Sequence, residues 1–499
     1  MLYTSTRDKS VRLTAAEAIA RGISEDGGLL LPVEIPRLEK NRIESLCRLG
    51  YAERAAFIMG MYLDGFSAGE LKEYCEKAYS CEKFGSGAAA PIKKAAGKPG
   101  IAHYFLELWH GPTCAFKDMA LQILPYLLTA SLKKTGQKED ALILVATSGD
   151  TGKAALEGFK DVPGTRIMVF YPSEGVSGIQ KLQMTSQAGG NVGVTAVKGN
   201  FDDAQTGVKL IFGDEGMKRA AAERGYKFSS ANSINWGRLL PQIVYYFSSY
   251  CDLVNSGEIT FGEEINYCVP TGNFGNILAA YYASEMGLPV GRLICASNRN
   301  NILSDFIATG SYDRRREFFT TISPSMDILI SSNLERLLYC VSGGDAVKIK
   351  GFMAGLAGEG VYTVDGAVKA ELNRLIWADY CDEAATRAAI ARLWNECGYL
   401  IDTHTAVAEA VKDKYYTATG DGRKTVVVST ANPYKFCGSI IEALGAEPSG
   451  GGAELVDTLQ KMTGVEPPAQ IAALRTAVSR FGDTVDAGEM PASVIKFIE

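Results

Sequence analysis

Short apolar segments of strand length alternate with helical patterns along most of this chain, and this alternation restricts its possible folds more than any other feature. The segments are ALILVAT at 141–147, RIMVFY at 166–171, VGVTAV at 192–197, INYCVP at 265–270, RLICAS at 292–297 and TVVVST at 425–430. Continuous apolar strands separated by helices are typical of parallel sheets that helices cover on both faces. The predicted fold class is therefore α/β.

The pattern divides the chain into four predicted segments. Residues 1–95 look mostly helical and are predicted to form an N-terminal cap, and two α/β domains with parallel sheets follow at 96–250 and 260–445. The glycine-rich start of residues 446–499 opens a predicted C-terminal helical tail. A chain of 499 residues is too long for one ordinary core, which supports two or three domains.

Two glycine-containing loops lie where predicted strands lead into predicted helices. One is in ATSGDTGKAA, over residues 148–152, and the other is in VPTGNFGN, over residues 272–276. Amide groups at a helix N-terminus, with the positive end of the helix dipole behind them, can bind an anion. The alternative is that the glycines only permit tight turns, and the spacing leaves both possibilities open. Neither loop has the spacing of a dinucleotide or P-loop motif.

Lys117 lies in HGPTCAFKDMA, behind a phenylalanine and at the head of an apolar helical pattern. A lysine in this position usually lays its methylenes on apolar surface and keeps its charge in water. Alternatively, partial burial lowers its pKa and makes the amine a nucleophile or a base. A reactive lysine, an anion loop and a loop rich in hydroxyls together suit pyridoxal phosphate, an aldehyde cofactor that carries a phosphate.

Composition excludes several other classes of function. A net charge of -6 without a long basic run argues against nucleic acid as the main partner. No signal peptide or membrane-spanning segment is recognisable, so a cytoplasmic location without a membrane partner is expected. Eleven cysteines without a C-x-x-C pair and three histidines without an H-E-x-x-H motif predict reduced thiols, mostly buried, and no metal site.

The order and wording of several motifs resemble the threonine synthase family, which belongs to the fold type II group of pyridoxal-phosphate enzymes. TSTRD and AEAIARGISEDGGLLLP look like the opening of that family, HGPTCAFKDMA like its cofactor-lysine motif and ATSGDTGKAA like its hydroxyl loop. SINWGRLLPQIVYY, VPTGNFGN, SMDILISSNLERLLY, DTHTAVA and STANPYKF also match in order. The resemblance implies fold type II architecture and pyridoxal 5'-phosphate as the cofactor.

The resemblance also implies roles at the cofactor. Lys117 is expected to form the imine with the cofactor, and Thr430 in STANP to meet the pyridine nitrogen. Asp150 lies where many relatives outside the family carry an asparagine that bonds the phenolic oxygen of the cofactor. Backbone amides and asparagine side chains of one loop are expected to hold the cofactor phosphate: Gly272, Asn273, Phe274, Gly275 and Asn276.

Five residues are implied as substrate contacts. Thr147, Ser148 and Thr151 look like donors to the carboxylate or phosphate of the substrate. Asn235 and Arg238 are candidates for the substrate phosphate, because a guanidinium suits bidentate phosphate contact. The alternative for this last pair is that they only begin a surface helix.

Four further positions lie in or beside the matching motifs. Cys114, Asn432 and Tyr434 depart from the residues usual in the family and are interpreted as tuning the site. His404 in DTHTA could touch the site, but a histidine satisfied by its neighbours is the expected reading.

The implied activity is conversion of O-phospho-L-homoserine and water to L-threonine and phosphate, by γ-elimination and β-addition of water, in a monomer or homodimer. The freed Lys117 amine would carry the protons, which fits a chain poor in histidine. Two alternatives remain open. One is a phospho-lyase that releases 2-oxobutyrate and ammonia with the same lysine and loops, and the other is a binding or regulatory protein that keeps the fold without turnover.

Overall fold

The computed structural model describes residues 1–85, 87–97, 102–147, 149–174 and 176–499. The strands in these ranges are β1 (Tyr3–Ser5), β2 (Leu30–Pro32), β3 (Ile92–Ala96), β4 (Ala102–Glu107), β5 (Asp140–Ala146), β6 (Thr165–Pro172), β7 (Val192–Val197), β8 (Tyr226–Ser229), β9 (Ile265–Pro270), β10 (Val290–Ser297), β11 (Ser311–Asp313), β12 (Val361–Thr363), β13 (Ile376–Tyr380), β14 (Thr425–Ser429) and β15 (Thr484–Val485).

The α-helices are α1 (Ala15–Arg21), α2 (Lys40–Leu46), α3 (Tyr51–Gly60), α4 (Ala68–Ala78), α5 (Cys81–Phe84), α6 (Asp118–Leu121), α7 (Leu124–Lys134), α8 (Asp150–Phe159), α9 (Gly178–Thr185), α10 (Phe201–Gly213), α11 (Glu215–Glu223), α12 (Trp236–Asn255), α13 (Gly275–Glu285), α14 (Ile302–Thr309), α15 (Leu334–Val341), α16 (Ala346–Gly358), α17 (Gly366–Leu375), α18 (Glu383–Cys397), α19 (Thr403–Thr419), α20 (Cys437–Ala443), α21 (Ala453–Thr463), α22 (Ala469–Ala472) and α23 (Met490–Ile498). Short 3₁₀ turns occur at Pro324–Met326, Pro433–Phe436, Ala473–Thr476 and Ala487–Glu489.

Two parallel sheets organise the molecule. The six-stranded sheet has the order β13-β10-β9-β14-β4-β3 and is parallel except for the β3–β4 pair at one edge. The five-stranded sheet has the order β15-β7-β6-β5-β8 and is parallel throughout. All six predicted apolar segments are strands of these sheets, so the α/β prediction is confirmed.

Chain order does not assign every strand to the expected sheet. The strand β4 lies within the predicted segment 96–250, yet it pairs with β14 in the six-stranded sheet. The strand β15 lies in the predicted helical tail, yet it extends the five-stranded sheet beside β7. Hydrogen bonding between distant parts of the chain decides both cases, and the four domain boundaries stay a prediction.

Strand β5 shows why the strand segments are apolar throughout. Its Ile143 and Val145 belong to the largest apolar cluster, which also contains Val269 of β9 and therefore joins the two sheets. Its Leu142 and Leu144 belong to a different cluster that includes side chains of α10, α11 and α23. Because successive side chains point to opposite faces of a strand, helices or the other sheet cover both faces of β5.

Two further sequence expectations can be compared with the structure. All the cysteines are free thiols, most of them buried, as predicted. Across the described ranges, no helix has both the length and the apolar character needed to cross a membrane.

Candidate active site

The loop that carries Lys117 follows β4 and is fixed to the loop that follows β14. The Phe116 amide donates a hydrogen bond to the Thr430 carbonyl oxygen at 2.8 Å, and the Asn432 amide donates to the Cys114 carbonyl oxygen at 3.0 Å. Because β4 and β14 are neighbouring parallel strands, their carboxyl ends lie together and the two loops meet there. Lys117 and Thr430, which are distant in sequence, therefore share one site.

The side chain of Lys117 is only 11% exposed. Its Nζ lies 3.9 Å from Asp150 Oδ2 and donates a hydrogen bond of 3.4 Å to the Ser325 hydroxyl. Burial lowers the pKa of the ammonium to about 8, although the Asp150 carboxylate opposes this shift. The structure therefore favours a desolvated amine over the alternative of a charge kept in water.

Asp150 is the first residue of α8 and is almost completely buried. Its Oδ1 forms an ion pair with Lys435 Nζ at 2.7 Å and accepts a hydrogen bond from Gln180 Nε2 at 2.8 Å. Burial raises the pKa of this carboxyl, but the ammonium groups of Lys435 and Lys117 outweigh burial and hold the pKa well below its usual range. Asp150 is thus an ionised carboxylate between two buried amines.

Lys435 belongs to the site, although sequence reasoning gave it no role. Besides its ion pair with Asp150, its fully buried Nζ donates to the Thr113 carbonyl oxygen at 2.9 Å. Thr113 donates through its amide and its hydroxyl to Asp118, both at 2.8 Å. Lys435 therefore ties Asp150 to the loop that carries Lys117. The only sequence signal was its place in STANPYKF, because its partner Thr113 lies 322 residues away.

The second glycine loop connects β9 to α13, which begins at Gly275. Phe274 turns the chain into the helix with a left-handed φ of 62°, and no side chain caps the helix. Asn276 Oδ1 accepts hydrogen bonds from the Tyr245 and Tyr246 hydroxyls at 2.7 Å and 2.6 Å. The Nδ2 of Asn276 is buried and has no partner among the described residues. A helix N-terminus with a spare buried donor suits an anion, which favours this reading over a simple turn.

The start of this loop packs against the turn that contains Ser325. A Cβ on Gly272 would lie 2.7 Å from the Ser325 carbonyl oxygen and 3.3 Å from Met326 Cα. The Asn273 carbonyl oxygen accepts hydrogen bonds from the Asn333 amide at 3.1 Å and its side-chain nitrogen at 2.9 Å. Gly272 is therefore required here for close approach of two backbones.

The hydroxyl-rich loop after β5 is organised by Thr147. Its hydroxyl oxygen accepts hydrogen bonds from the amides of Gly149 at 3.0 Å and Gly152 at 2.9 Å. The hydroxyl proton itself is directed at the Gly149 carbonyl oxygen, 3.3 Å away, so Thr147 would have to give up that bond to act as the predicted substrate donor. Thr151 is partly exposed in the first turn of α8, and Ser148 lies outside the described residues. The substrate roles of these residues stay predictions.

Asn235 and Arg238 lie at the start of α12, and both are buried. Asn235 caps the helix by accepting a hydrogen bond from the Gly237 amide at 2.8 Å, and its Nδ2 donates to a backbone carbonyl at 3.0 Å. Both ends of Asn235 are thus satisfied, which favours the alternative that it begins a helix.

Arg238 differs from Asn235. Its Nη1 donates to the Ala231 carbonyl oxygen at 2.5 Å, but its Nε is buried without a partner in the described part of the chain. Burial lowers its pKa to about 10. Although burial of Lys117 has the larger effect on the pKa of that lysine, the charge of Arg238 also lowers that pKa. A buried guanidinium without a carboxylate among the described residues suits an anionic ligand.

His404 is satisfied by its neighbours, as expected, and also reaches the site through one of them. Its Nδ1 forms a hydrogen bond of 2.9 Å with Asp402 Oδ1, and its Nε2 accepts one of 3.1 Å from the Ser325 amide. The Ser325 hydroxyl in turn contacts Lys117 Nζ.

These groups come from strand ends of both sheets. Lys117, residues 272–276 and Thr430 follow β4, β9 and β14, whereas Asp150 follows β5 in the five-stranded sheet. The Thr430 hydroxyl makes no hydrogen bond to the described residues, although the residue is only 5% exposed. A buried amine of lowered pKa, an uncapped helix N-terminus and a free hydroxyl are what an aldehyde cofactor with a phosphate and a ring nitrogen requires. The fold and the site thus define a pyridoxal-phosphate-dependent enzyme.

Comparison with known proteins narrows this class. The family model "Threonine synthase N terminus" matches residues 2–79, and the model "Pyridoxal-phosphate dependent enzyme" matches residues 89–354. The chain belongs to the threonine synthase family of pyridoxal-phosphate-dependent enzymes. Threonine synthase from Pseudomonas aeruginosa is 35% identical over 487 residues, which cover 97% of this chain and 99% of that protein.

Two other relatives define the extent of the similarity. The crystal structure of PLP-bound threonine synthase from Brucella melitensis matches with a TM-score of 0.87 and 34% identity over 100% of both chains, which confirms the cofactor and the fold type II architecture. Threonine synthase-like 1 from Homo sapiens is 41% identical over 439 residues, which cover 86% of this chain. The match spans only 58% of the length of that relative.

Proposed function

We propose that this protein converts O-phospho-L-homoserine and water into L-threonine and inorganic phosphate. The observation that carries the proposal is Arg238, a buried guanidinium without a carboxylate partner among the described residues, in the same site as the Lys117 amine. A phosphorylated amino acid supplies an amine that can exchange with Lys117 and a phosphate that can pair with Arg238. The matches to threonine synthases along almost the whole chain support the same reaction.

The chain offers a partner for each part of the cofactor. In the proposal Lys117 holds it covalently, residues 272–276 bind its phosphate, Thr430 faces its ring nitrogen and Asp150 lies beside its phenolic oxygen. Bound pyridoxal phosphate supplies the electron sink that makes the α-proton of an amino acid acidic. A hydroxyl such as that of Thr430, unlike a carboxylate, does not force the ring nitrogen to stay protonated.

Lys117 is the proton carrier in this proposal. When it is not bound to the cofactor, its Nζ would be a free amine, and its pKa of about 8, lowered by burial, would let it accept a proton near neutral pH. The Asp150 carboxylate, 3.9 Å away, stabilises the ammonium that results. Once a β-proton and the phosphate have left, the same Nζ would return a proton to the γ-carbon, and water would then add at the β-carbon.

Lys435 and Gln180 have a supporting role. Both bond to Oδ1 of Asp150, at 2.7 Å and 2.8 Å, and leave Oδ2 directed at Lys117. Lys435 compensates the charge of the buried carboxylate, so that Asp150 stays ionised whether Lys117 is protonated or neutral.

Proton NMR of the purified protein with pyridoxal phosphate and O-phospho-L-homoserine tests the proposal. Threonine and 2-oxobutyrate are followed together, and Lys117→Ala serves as the inactive control. Threonine as the dominant product supports the synthase reaction, whereas 2-oxobutyrate with ammonia replaces it by the phospho-lyase. No turnover of this substrate by fully loaded protein would reject both and favour a binding function.

Two properties of the whole protein accompany this proposal. The free, mostly buried thiols support a reducing, cytoplasmic compartment. We expect a monomer or a homodimer, and light scattering on eluted peaks distinguishes them by mass.

A further inference from the structure

Ser325 contacts the reactive lysine, although it lies 208 residues from it in the chain. It occupies the middle of the 3₁₀ turn Pro324–Met326, and its hydroxyl oxygen accepts a hydrogen bond from Lys117 Nζ at 3.4 Å. A hydroxyl both accepts and donates hydrogen bonds, whereas a carboxylate only accepts. Ser325 can therefore stay bonded to Lys117 as an ammonium and as a neutral amine, while Asp150 favours the ammonium alone.

His404 fixes the backbone of Ser325. Its Nε2 accepts the Ser325 amide proton at 3.1 Å, so this nitrogen carries no hydrogen, and the neutral ring bears its proton on Nδ1. That Nδ1 donates to Asp402 Oδ1 at 2.9 Å. Asp402 is fully buried, caps α19 and also accepts a hydrogen bond from the Thr405 hydroxyl. The tautomer and orientation of His404 are thereby set by a carboxylate that is itself fixed.

The turn around Ser325 is anchored on its other side as well. Asp327 Oδ1 accepts hydrogen bonds from the side-chain nitrogens of Asn298 at 2.7 Å and Asn300 at 3.0 Å, two residues that follow β10. Gly272 brings the cofactor-phosphate loop against the Ser325 carbonyl oxygen. The backbone of the Ser325 turn is thus held by three separate elements: α19, the segment after β10 and the loop after β9.

We infer that Asp402, His404 and Ser325 form a relay of positioning residues that orients Lys117 Nζ for proton transfer. The inference rests on the proposed function only in giving Lys117 that task. A lysine side chain has four rotatable carbon–carbon bonds, so a freed amine needs a fixed partner to stay near two different carbons of a substrate. Ser325 is that partner, and His404 acts through it.

The holoenzyme of Ser325→Ala tests the first step of the relay. We expect the cofactor to bind to this variant and to show its visible absorbance. In a pH titration, the midpoint of the absorbance change should shift by about half a pH unit to one pH unit, because one hydrogen bond to Lys117 is lost. With substrate, kcat is expected to fall about tenfold to a hundredfold while KM changes less than about threefold. The charged groups that face Lys117, namely Asp150, Lys435, Arg238 and Asp118, are the same in both proteins.

His404 variants test the second step. His404→Leu removes the acceptor for the Ser325 amide and is expected to reproduce the lower kcat and the shifted midpoint, whereas His404→Gln offers an amide oxygen and should restore part of both. The double variant Ser325→Ala with His404→Leu should lose no more activity than the more impaired single variant, because both act through one contact. Circular dichroism melting separates these effects from loss of the fold.

Ser304→Ala is the matched control, because the Ser304 hydroxyl is also buried but has no hydrogen-bond partner within the described residues. Wild-type kcat and midpoint in Ser325→Ala would overturn the relay, and so would losses that simply add in the double variant. The absorbance titration needs no substrate. A wild-type protein that releases 2-oxobutyrate would therefore reject the proposed function and leave the relay to be judged on the titration midpoints.

Discussion

At the scale of single residues, the proposed role of Lys117 in binding the cofactor, together with its lowered pKa, predicts that loading of the cofactor depends on pH. Burial reduces this pKa from that of an ordinary lysine to about 8, and only the neutral amine attacks an aldehyde. We expect the rate constant for recombination of the cofactor-free protein with pyridoxal phosphate to rise about tenfold per pH unit below this value and to level off above it. Stopped-flow absorbance over a range of pH measures this rate.

Asp150→Asn is the control for this prediction. The Asp150 carboxylate opposes the effect of burial on Lys117, so its removal should move the midpoint to lower pH by about one unit or more. If the midpoint measured for the unmodified protein lies near the pKa of an exposed lysine, the conclusion that Lys117 is a buried amine of lowered pKa is contradicted.

A second prediction at this scale concerns Arg238. Replacing a residue that binds a ligand mainly changes KM, whereas replacing a structural residue mainly changes the free energy of unfolding. In Arg238→Met, loss of the proposed phosphate contact should raise KM for O-phospho-L-homoserine about tenfold or more. Steady-state kinetics and urea unfolding measure the two effects.

Arg336→Met is the matched control. Arg336 is also buried, but it donates to the Leu30 carbonyl oxygen at 3.0 Å and 2.7 Å and to Asn333 at 2.5 Å. Its removal strands these acceptors and should lower the free energy of unfolding by about 2 kcal/mol or more. Equal destabilisation by the two variants would show that Arg238 is structural.

At the scale of elements, the loop before α13 depends on its close approach to the turn at Pro324–Met326. In Gly272→Ala the new Cβ would lie 2.7 Å from the Ser325 carbonyl oxygen, so the loop or the turn must move. We expect affinity for pyridoxal phosphate to fall about tenfold and the free energy of unfolding to fall by about 1–3 kcal/mol. Fluorescence titration of the cofactor and urea unfolding measure these losses.

Gly366→Ala is the control for the loop, because Gly366 likewise lies where a loop leads into a helix but has no atom within 4 Å of the added Cβ. It should leave cofactor affinity and stability near those of the unmodified protein. An equal effect of both substitutions would mean that close approach at Gly272 is not what the loop requires.

At the scale of the whole molecule, the site lies between two sheets that share one apolar cluster, so the bound cofactor should stabilise both. A ligand at a hundredfold excess over its Kd adds about 2.7 kcal/mol to the free energy of unfolding. We therefore expect removal of pyridoxal phosphate to lower Tm by a few degrees, as differential scanning calorimetry would show. Restored Tm on adding the cofactor back is the control, and identical values with and without it would contradict a site shared by the two sheets.

The sequence predicted where strands occur better than it predicted which strands pair with each other. All six continuous apolar segments are strands, because burial on both faces leaves a local pattern that can be read without knowing the neighbours. Strand β4 left no such pattern, since AHYFLE mixes polar and apolar residues. Its pairing with β14 could not be inferred from chain order.

The residues of the site also fall into those that the sequence predicted and those that it did not. Lys117 and the two glycine loops were found from local motifs, whereas Lys435, Ser325 and the contact from His404 to the Ser325 amide were not, because each depends on a partner far away in the chain. Asn235 and Arg238 looked equivalent in sequence. Only the structure showed that both ends of the Asn235 amide are hydrogen bonded and that Arg238 has a buried Nε without a partner among the described residues.

By itself, the sequence predicted six of the strands and pointed to Lys117 and the two glycine loops as candidates for the site, since periodicity, glycine spacing and motif order are properties of neighbouring residues. The tertiary structure alone decided which strand ends meet and which side chains surround Lys117. The physical reason is that sheet order is set by hydrogen bonds and apolar contacts between distant strands, and the desolvation that lowers the Lys117 pKa exists only once those strands have assembled.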